Sequence, residues 1–126
     1  MQGGASMAQL DERPDMSAAP DATEVSITFE AAAALITLAG DVDLAVQDCL
    51  EYVAEEAIAR ALPVRVNVSG VTFMDSIGLG LILRLVAAER EHGRRLRVEG
   101  ASKRTRDLLD VAGLSDVLDF PAERPS

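Results

Sequence analysis

Residues 64–85, VRVNVSGVTFMDSIGLGLILRL, change from an alternating pattern to a helical one within a single segment. Apolar side chains first occupy every second position, as in a strand with one buried face: Val64, Val66 and Val68. A helical pattern then runs from Ser76 to about residue 91, and Gly93 stands where that helix should end. A strand that leads into a helix in this way is the repeating unit of a parallel sheet with helical crossovers.

The rest of the chain continues the alternation of strands and helices. We predict strands over residues 24–30, 34–40, 64–69, 94–100 and 116–120, and helices over residues 44–62, 76–91 and 103–112. The first two strands follow each other directly, which indicates a hairpin, and each later pair of strands is separated by a helix. The predicted fold is therefore an α/β domain with a mixed, mostly parallel sheet of about five strands and three main helices.

The two ends of the chain carry no periodic pattern. Residues 1–22 are rich in Gly, Ala, Ser, Asp and Pro, which predicts a disordered extension. We predict that residues 122–126 form a flexible tail and that residues 23–121 form a single domain. A chain of 126 residues is long enough for one hydrophobic core but not for two.

Composition and charge argue against several classes of function. Twelve basic residues against 21 acidic ones give a net charge of −9, which disfavours nucleic acid as a partner and favours a basic protein surface. The chain has one cysteine, Cys49, and one histidine, His92, which excludes an internal disulfide and most zinc sites. The sequence has no run of 18 apolar residues and no secretory signal, so we expect a cytoplasmic protein without a membrane span.

Ser76 stands at the junction of a strand and a helix, where some hydrolases place a nucleophile. The G-x-S-x-G pattern of such a site needs a leading glycine, and this chain has Met74 there. The single histidine, His92, lies on the same helix at roughly 24 Å, too far to act as a general base. The glycine pattern also fails as a nucleotide site, because Leu83 replaces the third glycine of a dinucleotide loop. We therefore predict neither an enzyme nor a cofactor.

Two other interpretations of this junction concern metal binding and helix capping. Asp41, Asp43 and Asp75 follow neighbouring strands and could meet at one edge of the sheet, which makes a metal site a minor alternative. Asp75 and Ser76 are both of the residue types that cap helices, so Ser76 could serve only as a cap.

The helix that begins at Ser76 is apolar on two sides. One face contains Leu79, Ile82, Leu83 and Val86, and we expect it to pack on the sheet. A second stripe contains Ile77, Leu81, Arg84 and Ala88. Such a stripe is typical of a surface that binds a partner, although burial against a neighbouring helix explains it equally well.

Three stretches together resemble a known family. The motif FMDSIGLG (73–80), the turn GDVD (40–43) and the segment ASKRTRDLLDVAGLSDVLDF (101–120) are similar to the STAS domain. More narrowly, the chain resembles the bacterial anti-sigma factor antagonists over about residues 24–120, and the fold of that family agrees with the predicted order of elements.

The resemblance implies a function that depends on phosphorylation. Relatives of this kind bind an anti-sigma factor that is also a serine kinase, and thereby release the sigma factor. The resemblance implies that the kinase phosphorylates Ser76, that Asp43, Asp75 and Gly78 surround the site, and that a metal-dependent serine phosphatase removes the phosphate. Ile77 departs from the Ser or Thr that many relatives have. The alternative is an accessory STAS-fold subunit of a lipid-transport ATPase complex.

Overall fold

A computed structural model describes residues 23–121 as five strands and three α-helices. The strands are β1 (Glu24–Glu30), β2 (Ala33–Val42), β3 (Val64–Met74), β4 (Leu96–Glu99) and β5 (Leu118–Asp119). The helices are α1 (Gln47–Arg60), α2 (Ser76–Glu91) and α3 (Lys103–Val111), and short 3₁₀ turns cover Leu44–Val46 and Ser115–Val117. The predicted extension over 1–22 and the predicted tail over 122–126 lie outside the described residues.

The five strands form one mixed sheet in the order β1-β2-β3-β4-β5. β1 and β2 pair antiparallel as a hairpin, and the remaining pairs are parallel. In the parallel part, Ile36 lies beside Val66, and Val66 lies beside Val98. The register therefore places the apolar positions of neighbouring strands on a common face. The predicted α/β fold, with a hairpin start and helical crossovers, is confirmed.

The hydrophobic core lies between that face and the helices. The largest fully buried side chains from the sheet include Ile36, Leu38, Val66 and Val98, and α1 and α2 contribute Val53, Ile82 and Leu85. Each such side chain contributes about 1.5–3 kcal/mol to the free energy of folding when it leaves water. The opposite face of the sheet is polar: Arg65 forms ion pairs with Glu30 at 3.2 Å and Glu99 at 3.0 Å. The molecule therefore has two layers, with one face of the sheet open.

Several elements differ in length from the sequence prediction. β3 continues to Met74, five residues beyond the predicted end, and stays paired with β2 through two register shifts. Each shift places one extra residue in β3, between Asn67 and Gly70 and between Val71 and Phe73. β5 has two residues where five were predicted, because Ser115–Val117 form a 3₁₀ turn. The predicted helix over 44–62 begins as a separate 3₁₀ turn and ends at Arg60.

The predicted sheet-facing side of α2 was partly wrong. Leu83 is 52% exposed, whereas Leu85, which the prediction left out, is fully buried. The residues of α2 that are buried are Gly78, Leu81, Ile82, Leu85, Val86 and Glu89. Apolar residues surround most of this helix, so its sequence permits more than one rotation. In the observed rotation, Gly78 lies against the end of β2, and at the other end of the helix Glu89 binds Val64 and Arg94.

Candidate functional site

The site begins where β3 passes into α2. Asp75 adopts an extended backbone, and its Oδ1 accepts a hydrogen bond of 2.8 Å from the Ile77 N–H. The Asp75 carbonyl accepts from the Leu79 N–H at 3.0 Å, which begins the regular helical pattern. Asp75 is therefore the N-cap and Ser76 is the first helical residue. The interpretation of Ser76 as the helix cap was wrong, because Asp75 occupies the N-cap position and its carboxylate accepts the hydrogen bond from the Ile77 N–H.

Gly78 brings the first turn of α2 against the sheet. A Cβ at this position would lie 2.5 Å from Met74 Cγ, 2.9 Å from Val42 Cγ1 and 3.2 Å from the Val42 carbonyl oxygen. Only glycine allows so short a separation without displacement of these atoms. Gly78 therefore allows a close backbone approach between α2 and the end of β2. A Cβ at Gly80, in contrast, would meet nothing within 4 Å.

The GDVD turn (40–43) lies against the start of α2. The Asp75 N–H donates to the carbonyl of Val42 at 3.2 Å, which ties the start of α2 to the end of β2. Asp43 follows directly, and its Oδ1 accepts from the Ala45 N–H at 3.0 Å as the cap of the 3₁₀ turn. The GDVD turn and the FMDS segment are therefore adjacent, and their two predicted site residues, Asp43 and Asp75, are both fixed as caps.

The three aspartates of the possible metal site have separate roles. Asp41 accepts a hydrogen bond of 3.0 Å from the Thr72 hydroxyl, whereas Asp43 and Asp75 bind backbone N–H groups of their own turns. Over residues 23–121, no group of three His, Cys, Asp or Glu residues has the arrangement needed for a metal ion. The described part of the chain therefore gives the metal hypothesis no support.

Ser76 is exposed at the edge of a groove between α1 and α2. The groove has a volume of about 220 Å³. Its lining residues from α1 are Gln47, Leu50, Glu51 and Ala54, and those from α2 are Ser76, Ile77, Gly80, Leu81 and Arg84. Polar and charged side chains thus surround an apolar floor, and the Ser76 hydroxyl is at the surface.

The second stripe predicted on α2 is not a continuous surface. Ile77 is half-buried, Arg84 is exposed, and both line the groove. Leu81 also lines it but is only 4% exposed, so it forms part of the floor. Ala88 is half-buried and lies apart, with α1 residues at the other end of the helix. The stripe is therefore partly exposed near Ser76 and packed against α1 elsewhere, and its use as a partner-binding surface stays a prediction.

Sequence reasoning did not find the wall that α1 supplies. Gln47 and Glu51 are polar positions on an amphipathic helix, and such positions ordinarily face solvent. They border the groove only because α1 packs beside α2.

A second cavity of about 250 Å³ lies between the end of β3 and α3, where Phe73 is 52% exposed and Arg104 is exposed. No helix in the described part of the chain is long and apolar enough to cross a membrane.

With this geometry in place, the chain can be compared with known proteins. A family model described as "Mlab, STAS domain" matches residues 25–119, nearly all of the described chain. The chain belongs to the STAS domain family. This confirms the resemblance drawn from FMDSIGLG and the GDVD turn.

Curated relatives of this STAS domain are anti-sigma factor antagonists. The anti-sigma-B factor antagonist of Bacillus subtilis is 27% identical over 88 residues, which cover 70% of this chain and 81% of the relative. The anti-sigma-B factor antagonist of Staphylococcus epidermidis is 38% identical over 55 residues, covering 44% of this chain. That match spans about half of the Staphylococcus protein, 51% of its length.

Solved structures confirm the fold of this STAS domain. An anti-sigma factor antagonist from Mycobacterium paratuberculosis matches with a TM-score of 0.67 and 20% identity, over 82% of this chain and 90% of that one. The antagonist SpoIIAA in its unphosphorylated form matches with a TM-score of 0.64 and 23% identity, over 79% and 89%. The phosphorylated form of the Bacillus SpoIIAA has a TM-score of 0.60 and 20% identity, over 79% and 92%.

Proposed function

We propose that this STAS domain is an anti-sigma factor antagonist that is switched off by phosphorylation of Ser76. In the unmodified state it binds an anti-sigma factor with serine kinase activity and so releases the sigma factor. The observation that carries the proposal is the placement of Ser76: Asp75 takes the capping role, which leaves an exposed hydroxyl on the first helical residue at the edge of the groove. The names of the curated relatives support the same function.

The chemical step transfers the γ-phosphoryl group of ATP to Ser76. A bond forms between Ser76 Oγ and phosphorus, the bond from that phosphorus to the bridging oxygen of ADP breaks, and the hydroxyl proton is released. The kinase supplies the catalytic groups, so Ser76 acts as a substrate. A metal-dependent serine phosphatase reverses the modification by hydrolysis. We propose that this cycle takes place in the cytoplasm.

The phosphate weakens the complex by local electrostatics. It adds about −1.5 to −2 charges at neutral pH. The helix N-terminus favours such an anion by about 0.3–1 kcal/mol, so the free protein tolerates it. At an interface the phosphate must lose water beside Ile77 and repel acidic groups such as Asp75, and a like-charge pair at 4 Å costs about 4 kcal/mol at an effective dielectric of 20. A change of this size weakens binding roughly a thousandfold without refolding.

The groove gives the partner a specific place to bind. Ile77 supplies half-buried apolar surface beside Ser76, Leu81 supplies the floor, and the exposed Arg84 also lines the groove. Because Arg84 is positively charged and phosphorylation should weaken binding, we expect the partner residues that face Ser76 and Arg84 to be acidic. The net charge of −9 favours basic residues on the partner surface outside this contact. Ala88 lies in a different cavity, so we omit it from the proposed contact.

The proposal is tested by incubating the full chain with candidate anti-sigma kinases and ATP, followed by mapping of the modified residue by mass spectrometry. Wild type and the control Ser26→Ala, which alters a serine on the open face of the sheet, should each gain one phosphoryl group. Ser76→Ala should gain none, stay folded and bind the kinase with or without ATP. Modification at another residue, or none with any candidate, would contradict the proposal. Purification of the native protein with a membrane transport complex would instead favour the lipid-transport alternative.

A further inference from the structure

The groove beside Ser76 contains one basic side chain. Ser76, Gly80 and Arg84 are spaced four residues apart on α2, and all three line the groove. Residues at this spacing lie on the same face of a helix, one above the other. Arg84 therefore occupies the same face as Ser76, two turns further along α2.

The other charged groups near Ser76 are acidic. Asp75 precedes it, Asp43 lies in the adjoining turn, and Glu51 lines the groove from α1. A phosphate on Ser76 would add about −1.5 to −2 further charges to this group at neutral pH. Among the side chains of residues 23–121 that line the groove, Arg84 alone carries a positive charge, and a guanidinium binds phosphate through two parallel hydrogen bonds.

The path between the two residues is open. Eight residues of helix separate their Cα atoms by roughly 12 Å along the axis. Long side chains in helices lean toward the N-terminus, which directs Arg84 toward Ser76. The intervening position is Gly80, where a Cβ would meet nothing within 4 Å, so neither a side chain nor a packed neighbour blocks the guanidinium. An extended arginine and a phosphoserine together cover the remaining distance.

We propose that Arg84 binds the phosphate on Ser76 within the same chain, across the gap left by Gly80. This rests on the proposed phosphorylation of Ser76 and adds a second effect to it. The phosphate draws Arg84 out of the opening of the groove, so the partner meets a new anion and also loses the cation it found in the unmodified protein. The modified state is then a closed ion pair along α2.

The test uses full-length protein with phosphoserine incorporated genetically at position 76, so that no kinase is needed. The variants are Arg84→Gln, Arg84→Lys and Gly80→Leu, with Arg90→Gln as the control that removes an exposed arginine from the last turn of the same helix. The readout is the second ionisation of the phosphate, followed by ³¹P NMR against pH at low salt and at 1 M salt. Circular dichroism checks that each variant is folded.

We expect Arg84→Gln to raise the titration midpoint by roughly half a pH unit, because a nearby cation favours the dianion. Arg90→Gln should match wild type, Arg84→Lys should lie between, and 1 M salt should reduce the differences. Gly80→Leu should raise the midpoint as well, since its side chain fills the gap while the charge of Arg84 remains. Equal midpoints for Arg84→Gln and Arg90→Gln, or a Gly80→Leu midpoint equal to wild type, would overturn the proposal. Failure of every kinase to modify Ser76 would contradict the proposed function and leave these outcomes unaffected.

Discussion

Each end of α2 carries a hydrogen-bonded carboxylate, but the two carboxylates differ in burial and in what surrounds them. At the C-terminal end Glu89 is 2% exposed, and its carboxylate accepts hydrogen bonds from the Val64 N–H at 2.9 Å, Arg94 Nε at 3.2 Å and Arg94 Nη2 at 2.9 Å. At the N-terminal end the Asp75 carboxylate binds the Ile77 N–H, and the neighbouring Ser76 hydroxyl stays exposed. At the C-terminal end the buried carboxylate is fully hydrogen-bonded within the protein. At the N-terminal end the helix start is capped, and the neighbouring Ser76 side chain is exposed to solvent.

The contacts that hold the two ends of α2 are separate from the hydroxyl of the proposed modification site. Arg94 extends the C-terminal network through a hydrogen bond from Nη2 to the Ala61 carbonyl at 3.1 Å, so α2, β3 and the end of α1 are held together there. At the N-terminal end, the cap by Asp75 and the close contact of Gly78 do not involve the side chain of Ser76. Substitutions at the two ends should therefore separate stability from binding.

The largest effect should come from charge at Ser76. We expect phosphorylation to weaken the complex with the anti-sigma kinase roughly a thousandfold, and Ser76→Glu to weaken it at least about tenfold, because a single charge reproduces part of the repulsion. Isothermal titration calorimetry measures both. Thr28→Glu adds the same charge on the open face of the sheet and should bind like wild type. Equal losses for Ser76→Glu and Thr28→Glu would show that net charge, rather than the local site, controls binding.

The next largest effect concerns Glu89 at the C-terminal end of α2, and it should change the free energy of unfolding without changing partner binding. Glu89→Gln removes the charge that balances Arg94 and weakens the hydrogen bond to Val64, and we expect a loss of about 3 kcal/mol in the free energy of unfolding. Glu91→Gln, at an exposed position on the same helix, should change it by less than about 0.5 kcal/mol. Urea denaturation gives both values. A Glu89→Gln variant as stable as Glu91→Gln would mean that the network contributes no net stability.

The two ends also differ in how far the sequence predicts them. The strand period of residues 64–68 and the Asp-Ser junction predicted the first part of β3 and the start of α2. The role of Ser76 as a phosphate acceptor came from the family resemblance and stays a prediction. The role of Glu89 was not visible, because a glutamate in the last turn of a helix ordinarily faces solvent and its partners lie 25 residues earlier and five later. The rotation of α2 and the α1 wall of the groove were missed for the same reason: both depend on packing between segments distant in sequence.

The third prediction compares the two glycines at the N-terminal end of α2. Gly78→Ala should destabilise the protein by about 1–3 kcal/mol, because the added Cβ lies 2.5 Å from Met74 Cγ and the Val42 backbone cannot move away freely. Gly80→Ala should stabilise it by about 0.5–1 kcal/mol through helix propensity, since nothing lies within 4 Å of the new Cβ. Thermal unfolding of both variants checks the signs. Two changes of the same sign would refute the close contact assigned to Gly78.

The smallest effect separates the cap from the acceptor. Asp75→Ala should cost about 1 kcal/mol in the free energy of unfolding, because the Ile77 N–H loses its partner, and Asp75→Asn should restore most of that loss. Ser76→Ala should change stability by less than about 0.5 kcal/mol, since Asp75 already caps the helix. Chemical denaturation of the three variants measures these differences. A loss for Ser76→Ala as large as that for Asp75→Ala would return Ser76 to a structural role, because its hydroxyl would then stabilise the helix start that we assign to the carboxylate alone.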